Sequence, residues 1–74
     1  MASREDAQAV FARALMEKIR QDEHPSATQM TLLEQMIPRE LLDDYVTILM
    51  EKVLRDPAPS IPMMHRLHRV TAML

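Results

Sequence analysis

A chain of 74 residues is expected to form one small domain, too short for its core alone to confer much stability, and it has no cysteine for a disulfide or a thiolate metal site. It also has no glycine, which excludes P-loops, the G-x-G-x-x-G dinucleotide fingerprint, the nucleophile elbow and glycine-rich lids. The net charge of −2 gives no general attraction to nucleic acid, the start of the chain lacks a signal-peptide core, and no window reaches the roughly 18 apolar residues of a membrane span, so a soluble, cytoplasmic protein is expected.

Asparagine is missing along with glycine, so turns needing positive φ are disfavoured and tight β-hairpins are not expected. The apolar share is 47%, yet Phe11 and Tyr45 are the only aromatic residues and eight residues are methionine. Core volume must come from aliphatic and methionine side chains, which fill space adaptably and define shape loosely.

In chain order, Ser3 followed by Asp6 marks a helix start, with Glu5 and Asp6 at the positive end of the helix dipole. Ala7, Val10, Phe11, Ala14, Leu15 and Ile19 recur at spacings of three and four and are expected to form the inward face, leaving Arg4, Glu5, Arg13, Glu17 and Arg20 to solvent. Pro25 forces His24 out of helical geometry, so this first helix ends near Gln21 to Glu23. Ser26 then caps a second helix over about 27–37, with Pro25 and Met30 placed as a hydrophobic staple and Met30, Leu32, Leu33, Met36 and Ile37 as its apolar band.

Pro38 opens a third helix over about 38–55. Leu41, Tyr45, Ile48, Leu49 and Val53 form its core stripe, and a second apolar stripe, Leu42, Val46, Met50 and Leu54, runs beside it. Asp56-Pro57-Ala58-Pro59 is a short stiff turn, after which a fourth helix is expected from about Ile61 to Met73, with Ile61, Met64, Leu67, Val70 and Thr71 inward and Pro62 tolerated in the first turn.

The chain also reads as two copies of one unit. Leu15-Met16-Glu17-Lys18 returns 34 residues later as Leu49-Met50-Glu51-Lys52, and residues 10–37 laid over 44–71 without a gap give nine identities in 28 columns, with Phe11 opposite Tyr45 and Pro25-Ser26 opposite Pro59-Ser60. The period equals that of tetratricopeptide repeats, but their glycine and small-residue positions are not here and two units are too few for a solenoid. The expected fold is therefore all-α: a single domain over 1–74, a compact antiparallel four-helix bundle made of two related 34-residue hairpins.

Little in the sequence points to chemistry. His65 and His68 lie one helical turn apart, close enough to share a metal ion, but no third ligand stands near them in sequence, so no metal or other cofactor is expected. Ser3, Ser26 and Ser60 all fall at helix starts, where capping accounts for them, and the adjacent Asp43 and Asp44 point about 100° apart and cannot cooperate as a carboxylate pair. No catalytic residue is identified. With Arg66 and Arg69, the two histidines make the fourth helix the basic one, so a small DNA-associated regulator using His65, Arg66, His68 and Arg69 is the second functional reading. The first is a non-enzymatic interaction module. A helix apolar on two sides is either central in its own bundle or presents one side to another molecule, which marks Leu42, Val46, Met50 and Leu54 as a surface for a protein partner or for a second copy in a homodimer.

Overall fold

The structure, a computed structural model, describes residues 3–74. These residues are all-helical, without strands, and the chain divides into two compact units, Met1–Arg39 and Glu40–Leu74. Helix α1 (Arg4–Gln21) pairs with α2 (Ala27–Met36) in the first unit, and α3 (Arg39–Arg55) pairs with α4 (Ile61–Thr71) in the second.

Helix starts follow from the three serines. Each sits in extended geometry, and its hydroxyl accepts an N–H of the first turn that no earlier carbonyl can reach: Ser3 from Asp6, Ser26 from Gln29 and Ser60 from Met63, all at 3.1 Å. At α1 the bond is reciprocal, since Asp6 Oδ2 accepts the Ser3 N–H at 3.3 Å. Pro25 and Met30, expected as a staple around the second cap, are both buried.

The two connections inside the units use the same bonds at positions 34 apart. The N–H of Asp22 returns to the carbonyl of Lys18 at 3.1 Å, and that of Asp56 to the carbonyl of Lys52 at 3.1 Å. Each aspartate then turns its carboxylate onto the amide two residues on, His24 at 3.1 Å and Ala58 at 2.9 Å. The chain thus leaves each helix through an aspartate and enters the next through a proline–serine cap. No described residue has positive φ, in keeping with a composition lacking glycine and asparagine.

The buried faces differ from the expected ones in two helices. In α1, Leu15 and Ile19 are buried as expected but are joined by Ala12 and Met16, while Ala7, Val10, Phe11 and Ala14 are exposed. The sequence holds two stripes with the same 0, 3, 4, 7 spacing, offset by five residues and so about 140° apart around the helix. Only the one nearer the connection is covered. Faces that far apart on one helix cannot both turn toward a single neighbouring helix, so one of them stays open. In α4, Ile61 and Met64 are exposed, and the inward row is Met63, Arg66, Leu67 and Val70. An arginine in that row hid it from a search for apolar residues alone.

Candidate functional site

The second stripe of α3 divides along its length. Leu42 and Val46 are buried, with Val46 only 5% exposed, whereas Met50 is 42% and Leu54 79% exposed. The first two join Tyr45, Ile48 and Leu49 in the helix's buried set, so the exposed part of the stripe begins at Met50. Ile61 and Met64, also exposed, lie in the first turn of α4, and with Met50 and Leu54 they occupy the half of the hairpin nearest the Asp56–Pro59 turn. Chemically these are four exposed apolar side chains, two of them the adaptable methionine.

The basic residues of α4 are placed differently from one another. His65, His68 and Arg69 are exposed, but Arg66 is only 9% exposed and belongs to the inward row. Among these four, Arg69 is the arginine on the outer surface. His65 and His68 stand one turn apart without a third donor, and among the described residues no group of three or more histidine, cysteine, aspartate or glutamate side chains gathers in metal-binding proximity. The buried Tyr45 hydroxyl does not go unsatisfied, because no buried side-chain nitrogen or oxygen among the described residues lacks a hydrogen-bond partner.

In the first unit, the outer face of α2 carries an open depression of about 340 Å³ lined by Ala27, Thr28, Thr31, Leu32 and Gln35. All five belong to one helix, so it is a shallow surface feature that cannot enclose a small molecule. Val10 at 66% and Phe11 at 49% exposure are the large apolar residues left open on α1. Sequence reasoning placed them in the core. The signal that could have separated them from Leu15 and Ile19 is the double 0, 3, 4, 7 pattern, which one inward face cannot accommodate. No helix among the described residues is long and apolar enough to cross a membrane. No protein-family description, curated protein or solved structure matches the chain.

Proposed function

We propose that the chain is a small, non-enzymatic interaction module that binds protein, a second copy of itself included, through helix faces its own fold leaves open. The observation that carries this reading is Leu54, a leucine 79% exposed on a helix, with Met50, Ile61 and Met64 exposed on the same half of the hairpin. Leaving several large apolar side chains in water costs little individually, but grouped on so small a domain they mark a surface that gains from being covered. The proposal includes the architecture: two hairpins descended from one 34-residue unit. The recurrence of the Asp22 and Asp56 turns and of the Ser26 and Ser60 caps supports it. A cytoplasmic setting accords with a chain that has no cysteine to oxidise.

The DNA-associated alternative loses ground from the burial of Arg66, which leaves Arg69 as the exposed arginine of the four residues that suggested it. The test of the leading reading is the change in solution mass with concentration for the wild type and for Leu54→Glu. Concentration-dependent association weakened by the substitution supports the α3 face. Association that Leu54→Glu leaves intact removes that face as a self-association surface, and a strictly monomeric wild type overturns self-association.

A further inference from the structure

The open face of α1 has a charge pattern that says what can cover it. Ala7, Val10 and Ala14 form a seam at spacings of three and four, and all three are exposed. Along one edge of that seam stand Asp6 and Arg13, seven residues apart and opposite in charge; along the other edge stand Arg4 and Phe11, also seven apart. When two identical helices pack antiparallel, each edge meets the same edge of the other copy running in reverse. A pair of opposite charges one heptad apart on a shared edge is then complementary to itself.

We propose that a second copy of this chain covers α1, helix against helix and antiparallel, with Asp6 of each copy facing Arg13 of the other. Resting on the reading that the exposed apolar helix faces are docking surfaces, it names the occupant of one of them. The two-fold axis makes both ion pairs at once. The same register brings each Arg4 guanidinium toward the Phe11 ring of the second copy, a favourable cation–ring contact. A parallel arrangement would instead turn Arg13 toward the other copy's Lys18, like charge against like. Ala7 and Ala14 have side chains small enough for the two helices to approach closely. Asp6 already accepts the Ser3 N–H through Oδ2, and a carboxylate has lone pairs for a second partner. Helix α1 supplies only about twelve residues to the seam, so the contact falls below the roughly 1,200 Å² of a stable interface and the dimer should be weak and reversible.

Sedimentation equilibrium of the full chain tests this, with circular dichroism confirming that each variant keeps its helix content. Val10→Glu should abolish the dimer across the concentration range. Arg13→Glu should raise the dissociation midpoint on the order of tenfold, since two attractive pairs become two repulsive ones. Adding Asp6→Lys to Arg13→Glu should bring the midpoint back to within about threefold of wild type, because the exchanged charges are complementary again. A double variant as weak as the single one, or a dimer indifferent to Val10→Glu, overturns the pairing. Association that survives Val10→Glu and disappears in Leu54→Glu overturns the pairing on α1 alone and leaves the broader reading standing. A wild type monomeric throughout overturns both.

Discussion

Val46 and Leu54 belong to one apolar stripe on one helix, yet a glutamate should do opposite things at the two positions. At Val46, 5% exposed, a carboxylate would be buried without a partner, which costs about 3–5 kcal/mol, most of what a domain of this size has to lose. Leu54→Glu, at a position 79% exposed, should change stability by no more than about 0.5 kcal/mol. Urea unfolding of the two variants checks this, and comparable losses would mean that the burial described for α3 is wrong. The arginines of α4 form a similar pair. Arg66→Glu should lower the unfolding midpoint markedly because Arg66 is buried, while Arg69→Glu should leave it nearly unchanged. A fall in nucleic-acid affinity in the first variant would therefore need a folding control before it said anything about phosphates. Periodicity marked a second apolar stripe on α3 but carried no information on where along the helix its cover ends, and Leu42 and Val46 lie in the core while Met50 and Leu54 are exposed.

Helix boundaries were the most legible part of the fold, because they depend on contacts only a few residues long. Serine–proline signals alone place the starts of α2 and α4, and the hydroxyl bonds at Ser26 and Ser60 are equal in length at 3.1 Å. Each serine-to-alanine change should accordingly cost about 1 kcal/mol by denaturant unfolding. The two-hairpin proposal predicts costs that agree within about 0.5 kcal/mol and add in the double variant. A large cost at one cap and none at the other would show that the two turns, though alike in their bonds, are not equivalent in energy. Faces were less legible than boundaries. Phe11 and Tyr45 align across the two copies, yet Tyr45 is fully buried and Phe11 half exposed. An alignment compares residues, whereas burial depends on which face of the helix turns inward, and α1 buries Ala12, Leu15, Met16 and Ile19 while Phe11 stays on its open side. Arg66 shows the converse failure, a charged residue occupying an inward position.

For the molecule as a whole, the sequence showed an all-helical chain without the signatures of several enzyme classes, and the four helices follow. What it could not show is which of several apolar stripes remain uncovered, since each satisfies the same spacing rule. The structure leaves Val10 and Phe11 open on α1, and Met50, Leu54, Ile61 and Met64 open on the second hairpin. These faces motivate the proposal that the protein acts by docking. Association driven by apolar surface and a few ion pairs should weaken only modestly in high salt, unlike phosphate binding by basic residues, which falls steeply. The measurement that bears most directly on this account is the solution mass of the wild type by light scattering from about 10 μM to about 1 mM, a span over which weak protein contacts form. The account predicts a mass that rises from the 8.6 kDa of one chain toward twice that value as concentration increases. A mass fixed at 8.6 kDa across the whole range would contradict it.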